Sequence, residues 1–525
     1  MRTPAQASPP AVSRRQRIVS GVGLGVVVAA AAALAVALHR SGHSQGDDFA
    51  LYLRQARSVF DGDPAQVVAD NRFTVIHSGG SFSPLAYPWG LPLLLAPFVR
   101  AWGLDYDRLK LVEVAAFCVW LVLVHGIVRR RLGRIVALAV TAAVGTTPML
   151  LVHTDSLLSE FPHAAAVAVM IWWLDRIRGR ATLITASARD LIVLGVLLTV
   201  TYNIRRETVL LVAAIATVQI VELVARRRNG GPGSPRSWPW RALAMPHAAF
   251  VASAMAFQLV LPSMLLPANG DSGPRHLVDR LREYPAVLAE QLGIDQGHAI
   301  GMVILLVAFA GLGVGLGRRP GLDGPLAAVV VFSALAVSTH FRLVGRYYFQ
   351  ILPWVLMFVA AAVLELARFV TARVAGRSVD DPSHRSRWSP VAAVITTLPL
   401  LFLVILHVTV LPTRIASAMD FDRDGRQQVG PTHPDYLPIY DAVIASTKPM
   451  DVVVFYRART MTLLTDRRTL QTTNLDRAAA RADFYAQQRG STYSQPEMTE
   501  LEGYQRGFTV AWSNDVWILW DLDPG

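Results

Sequence analysis

Between Ile18 and Leu411 the sequence is a succession of apolar runs, each near the length a helix needs to cross a lipid bilayer. Crossing the hydrocarbon core takes roughly 20 apolar residues, and shorter pieces are tolerated inside a bundle. The runs are Ile18–Leu38, Leu111–Val128, Ile135–Val152, Phe161–Leu174, Leu191–Tyr202 and Thr208–Val224. They continue with Ala242–Leu266, Ala299–Leu316, Leu326–Thr339, Tyr347–Ala367 and Val391–Leu411. This gives about 11 spans and an all-α polytopic membrane bundle as the fold class. Composition agrees, with 53% of residues hydrophobic and 17% charged, where soluble chains carry about a quarter charged.

The formal net charge is +12 and the pI about 10.2, values that invite a nucleic-acid reading. The positions of the arginines exclude it, because most lie in short clusters between apolar runs. With the N-terminus placed in the cytoplasm, alternate gaps hold Arg129, Arg130, Arg131 and Arg134, then Arg176, Arg178 and Arg180, then Arg226, Arg227 and Arg228. Arg318, Arg319 and the stretch from Arg368 to Arg387 continue the series on the same side, as the positive-inside rule requires. The expected location is the plasma (inner) membrane, multi-pass, with the N-terminus cytoplasmic and the C-terminus extracytoplasmic. Cleavage of the first run as a signal peptide is the alternative, although its apolar stretch is longer than such segments usually are. The one cysteine, Cys118, lies inside an apolar run and says nothing of redox compartment.

The expected domains are a transmembrane unit over 1–411, with a first outer loop at 39–110, and an extracytoplasmic C-terminal α/β domain over 412–525. In the latter, Tyr436–Thr447 reads as a helix, Lys448-Pro449 as a turn, and Asp451–Tyr456 and Val516–Trp520 as strands. The remaining outward gaps hold the polar residues with chemical potential. Asp47 and Asp48 precede an amphipathic stretch, Phe49 to Phe60, suited to lying along the membrane. Tyr87 to Phe98 (YPWGLPLLLAPF) is apolar but broken by prolines, which points to a non-helical re-entrant or interfacial piece.

The acidic pair followed by Tyr-Pro-x-Gly-x-Pro-Leu-Leu-Leu-Ala-Pro-Phe resembles membrane glycosyltransferases of the C-type (GT-C) fold that use polyprenyl-phosphate sugars. The nearest group is the bacterial protein O-mannosyltransferase and aminoarabinose transferase relatives, the glycosyltransferase family 39-like enzymes. Thr154 to Glu160 (TDSLLSE), Gly345-Arg346-Tyr347-Tyr348 followed by Pro353, and the tail segments Pro449 to Val453 and Leu463 to Arg467 are similar to that group as well. Trp89 and Asp466 depart from its pattern, where a proline and a glycine are common. The resemblance implies sugar transfer from a polyprenyl-phosphate carrier to a glycan, lipid or protein acceptor, among membrane lipids and with no nucleic acid partner. It places the catalytic aspartate at Asp47 or Asp48.

The chemistry of such a transfer is simple. A lipid phosphate departs as a stable anion, so the site needs a base for the acceptor hydroxyl, cations for the phosphate and a sheltered cavity. Asp47 or Asp48 is the expected base, with Asp47 slightly preferred. Arg205, Arg206, Arg342 and Arg346, with Tyr347, are candidates for the phosphate; in a helix Arg342 and Arg346 would share a face. The same arginines could instead reach lipid headgroups, and Arg205 and Arg206 could pair with Glu207. Asp155, Glu160, His163 and Tyr87 are candidates for acceptor or substrate binding. No metal site is assigned and no cofactor is certain; a divalent cation at Asp155, Glu160 and His163 is an option that ranks below hydrogen bonding. The competing class is a multi-pass transporter or flippase of lipid-linked sugars, for which no inverted repeat is found. A non-enzymatic membrane scaffold would leave the outward aspartates and arginines without a role.

Overall fold

The structure is a computed structural model that describes residues 14–44, 46–79, 84–229, 238–265, 274–294, 297–340, 343–375, 382–505 and 507–522. Each of the eleven expected spans is helical. They are α1 (Arg14–Ala37), α5 (Tyr106–Leu132), the broken pair α6 (Arg134–Gly145) and α7 (Pro148–His153), α8 (Glu160–Arg178) and α9 (Ala188–Tyr202). Then come α10 (Val209–Asn229), α11 (Trp240–Val260), α13 (His298–Arg318), α14 (Pro320–Ser338), α15 (Leu352–Val374) and α16 (Pro382–Arg423). Eight of these, among the described residues, are long and apolar enough to cross a membrane unaided. The third run breaks where Pro148 follows Thr147 and a new helix starts, since proline lacks the N–H that would continue the ladder. Large apolar side chains such as Leu259, Phe309, Leu366 and Phe402 face outward, more than 60% exposed. Such a surface requires hydrocarbon as its solvent, and the chain is a multi-pass membrane protein.

The two ends of the bundle differ in kind. At one end the arginine clusters meet: Arg131 is fully enclosed and bonds Asp175 at 2.5 and 2.8 Å and Asp323 at 2.8 Å. Arg178 pairs with Glu222, and Arg318 lies 2.6 Å from Glu365. At the opposite end sit α2 (Asp48–Asp61), α3 (Pro64–His77), α4 (Gly90–Trp102), α12 (Leu277–Gln291) and the C-terminal domain.

One expectation fails here. Despite its prolines, Gly90–Trp102 is a 13-residue α-helix. Pro92 falls in its first turn, where an N–H has no intrahelical partner in any case, and only Pro97 interrupts the ladder. At about 1.5 Å per residue the helix is still too short to span. It packs instead against α2, burying Leu91, Leu95, Ala96 and Val99 with Phe49, Tyr52, Leu53 and Ala56.

The C-terminal domain is built on a five-stranded sheet of order β2-β1-β3-β5-β4. β1 (Val452–Val454) pairs in parallel with β2 (Arg468–Leu470) and β3 (Phe484–Gln488). β5 (Trp517–Asp521) runs antiparallel to β3 and β4 (Thr509–Ser513). One face packs on α17 (Leu437–Ser446) and α18 (Ala458–Thr465) through Val453, Phe455 and Trp517. The other packs on α19 (Leu475–Arg481), α20 (Met498–Glu502) and Phe73 of α3. The expected helix and strands lie within one or two residues of those observed. Helix α16 runs on past Leu411 to Arg423 before the domain begins.

Candidate active site

Asp47 and Asp48 mark the start of α2, and they point to different places. Neighbours on a helix diverge by about 100°. The Asp47 carboxylate turns to the C-terminal domain, where Oδ1 accepts the Thr460 backbone N–H at 3.4 Å. It is buried, and that burial outweighs the nearby Arg459 and Arg457 and lifts its carboxyl to about 6. Asp48 is half-buried and receives the Tyr87 hydroxyl on Oδ1 at 2.5 Å. The Tyr87 ring lies 4.5 Å from that of Tyr52, one turn along α2. Burial, and then the Asp48 charge, hold the Tyr87 phenol well above its ordinary value, so it stays a proton donor.

The cations of the site gather around Glu160. This residue opens α8, where a negative charge meets the positive end of the helix dipole. Its Oε1 lies 3.2 Å from Arg205 Nη1 and 3.2 Å from Arg346 Nε. Its Oε2 is enclosed and, among the described residues, has no hydrogen-bond partner. Both guanidiniums lie over the Tyr347 ring, at 5.0 Å for Arg205 and 5.5 Å for Arg346. Arg205 also reaches Glu207 at 3.3 Å. Arg346 is close enough to Asp48 for their charges to interact. His163 Nε2 bonds Thr208 Oγ1 at 2.9 Å, which fastens α8 to the turn carrying Arg205 and Glu207.

Gly90 explains how α4 fits against this turn. Its N–H donates to the Asn203 carbonyl at 2.5 Å. A Cβ there would sit 2.5 Å from the same oxygen and 2.6 Å from Ile204. Only glycine lets the start of α4 lie flat on the chain that leads into Arg205.

Other sequence candidates fall elsewhere. The Arg206 guanidinium is enclosed and bonded to the carbonyls of Tyr202 and Met264, to Asn203 Oδ1 and to Ser263. It ties the α9 end to the segment after α11, a structural use that takes up four of its five N–H donors. Asp155 is drawn into a separate cluster, with Lys110 Nζ at 2.8 Å, Gln428 Nε2 at 3.1 Å and the Arg40 backbone N–H at 3.2 Å. Asp155 joins the end of α1 to α5 and to the segment after α16. Arg342 lies outside the described residues. The shared-face argument for Arg342 and Arg346 does not apply, because Arg346 stands in a 3-10 turn, Gly345–Tyr348. Among the described residues no group of three or more His, Cys, Asp or Glu is arranged to hold a metal ion. Sequence reading missed Tyr52 and Arg459; Tyr52 follows Asp48 by one helical turn, a spacing visible beforehand.

An apolar groove of about 750 Å³ opens beside this cluster between α4, α5, α8, α9 and α11. Leu94, Phe98, Val119, Val196, Val200 and Phe257 line its length. Gly90, Pro162, Asn203 and Ile204 line it too, placing it one or two residues along the chain from Glu160 and Arg205.

The fold has a counterpart among solved structures. ArnT from Cupriavidus metallidurans bound to undecaprenyl phosphate is 12% identical, with a TM-score of 0.54, over 98% of this chain and 99% of that chain. The apo state of the same protein is 13% identical, with a TM-score of 0.53, over 97% and 98%. No family model and no curated protein sequence matches the chain. The likeness is one of fold: the chain has the C-type fold that its motifs suggested, a polytopic helical bundle with a C-terminal domain.

Proposed function

We propose that this chain is a glycosyltransferase that moves a sugar from a polyprenyl-phosphate carrier to an acceptor hydroxyl, at the end of the bundle bearing the α/β domain. The observation that carries the reading is an apolar groove whose wall at Pro162 and Ile204 lies one or two residues along the chain from the guanidinium pair around Glu160, with Asp48 in electrostatic reach of Arg346. A polyprenyl chain fits the groove, and its phosphate fits the arginines where the groove ends. The structural neighbour with undecaprenyl phosphate bound supports the same carrier chemistry.

In this reading Arg205 and Arg346 take the phosphate oxygens, competing with Glu160 for the same donors. The acceptor oxygen attacks the anomeric carbon and its proton passes to Asp48. The bond from that carbon to the phosphate oxygen breaks, and the phosphate departs as an anion held by the two guanidiniums. Tyr87, hydrogen-bonded to Asp48, fixes the carboxylate toward the acceptor. Asp48 is preferred to Asp47 because Asp47 faces the C-terminal domain. The basic end of the bundle faces the cytoplasm by the positive-inside rule, so transfer takes place outside, with the C-terminal domain over the site. The acceptor hydroxyl belongs to a glycan, a lipid or a protein.

The test is reconstitution in liposomes with synthetic undecaprenyl-phosphate sugars and envelope extract as acceptor. Consumption of the donor with label appearing in an acceptor is expected, and Asp48→Asn lowers it by about 10²–10⁴-fold while Asp47→Asn retains most of it. Label that crosses the bilayer on an intact donor, with no consumption, would reject the enzyme in favour of a flippase.

A further inference from the structure

The C-terminal domain reaches into the site through the first turn of α18. Leu463 of this helix is buried in the same apolar cluster as Phe49, Tyr52 and Leu53 of α2, and Arg57 pairs with Asp466 at 2.5 Å. Thr460 holds the approach to α2, accepting none of its freedom: its hydroxyl donates to the Gly46 carbonyl at 3.0 Å and its N–H to Asp47.

Arg459 goes further. It is 4% exposed, and it hydrogen-bonds the outer loop of the membrane unit. Nε donates to Asn71 Oδ1 at 2.9 Å and Nη2 to the Pro84 carbonyl at 2.7 Å. Asn71 Nδ2 in turn donates to the carbonyls of Pro84 at 2.8 Å and Leu85 at 2.5 Å. The guanidinium carbon lies 5.4 Å from the centre of the Tyr87 ring. On its other side Tyr87 is held by Gln55, whose amide exchanges hydrogen bonds of 3.0 and 3.2 Å with the Tyr87 backbone. The phenol so clamped is the one that donates to Asp48.

We propose that Arg459 is a positioning residue of the transferase site: the C-terminal domain holds Tyr87, and through it Asp48, in working geometry. A planar guanidinium holds two acceptors in a fixed fork while lying against a ring, a geometry that the point charge of a lysine ammonium does not reproduce. The inference rests on the transferase reading for its kinetic consequence, whereas the clamp itself is a property of the fold.

Two measurements on the full-length protein in lipid nanodiscs test it. Hydrogen exchange of the backbone over 84–89 is expected to quicken in Arg459→Gln and in Arg459→Lys, with α5 and α15 unchanged. In the transfer assay Arg459→Gln is expected to lose on the order of ten- to a hundredfold in kcat, since a misplacement of about 1 Å can cost about a hundredfold, with donor KM unchanged. Acting through Tyr87, it adds nothing to Tyr87→Phe, so the double variant is no slower than Tyr87→Phe alone. Losses that multiply in the double variant, or exchange over 84–89 equal to that of the wild type, would overturn the clamp. A wild-type protein that consumes no lipid-linked sugar, with exchange over 84–89 still quickened in the Arg459 variants, would overturn the transferase reading and leave the clamp standing.

Discussion

Replacing Arg346 with alanine tests the phosphate site in a way that does not require the sugar to be known. Four charged side chains meet there, Arg205, Arg346, Glu160 and Glu207, and their formal charges cancel. Without Arg346 the cluster carries one uncompensated negative charge, held mainly on Glu160. A phosphate approaching within roughly 6 Å of that charge, at an effective dielectric of about 20, meets about 3 kcal/mol of repulsion. The lost charge-assisted hydrogen bond is worth about 1.5–3 kcal/mol taken alone, and the two figures describe overlapping effects. A total of about 2–3 kcal/mol corresponds to a Kd raised about 30- to 150-fold. The assay is titration of undecaprenyl phosphate into purified protein in nanodiscs, followed by native mass spectrometry. Undecaprenol, which has the same tail and no charge, serves as the control and is expected to bind wild type and variant alike. A shift of less than about threefold for the phosphate, or an equal shift for the alcohol, would show that Arg346 does not hold the headgroup.

Three further outcomes follow from the same geometry. Asp47 titrates near 6 in the fold against an ordinary value of 3.8, so the folded chain binds the proton more tightly than the unfolded one. Its protonation favours docking of the C-terminal domain below about pH 4, and this contribution, at most about 3 kcal/mol, is lost as pH rises through 6; Asp47→Asn is expected to melt higher than wild type at pH 7.5 and equally at pH 4, and an unchanged melting curve at both values would refute this. At the other end of the bundle, Arg131→Ala leaves Asp175 and Asp323 enclosed with, among the described residues, a single remaining ion-pair partner, Arg319. A loss of about 3–5 kcal/mol is expected, read as a lowered melting temperature with donor-lipid affinity unchanged in the surviving folded fraction. With two guanidiniums supplying positive charge at Glu160, chelation by EDTA is expected to lower transfer by less than about twofold; a larger loss restored by a divalent cation would place an ion at the site.

The bundle was legible from the sequence because hydrocarbon imposes one rule on every span, and arginine placement then separates the two ends. The gathering of Glu160, Arg205, Arg346 and Tyr347 was legible as a set of outward residues, though not as a geometry. One expectation fails and two choices between neighbouring residues were not legible, each for a physical cause. The prolines argued against a helix at α4 because composition does not show that Pro92 falls in a first turn, where proline is tolerated. Arg205 and Arg206 are adjacent and chemically identical, and only the course of the segment at Ser263 and Met264 decides which of them is taken. Asp47 and Asp48 are likewise separated by a single turn of the backbone at the start of α2, and Asp47 was the one preferred. The clamp by Arg459 joins residues nearly 400 positions apart, a distance across which periodicity carries no information.

The account stands or falls on where a polyprenyl phosphate sits. An experimental structure of the protein determined with undecaprenyl phosphate is expected to show the tail along Leu94, Phe98, Val196 and Phe257 and the phosphate between Arg205 and Arg346, with Asp48 open to the side away from the lipid. A headgroup seated at the opposite, arginine-clustered end, or a groove left empty beside lipid bound elsewhere, would contradict it.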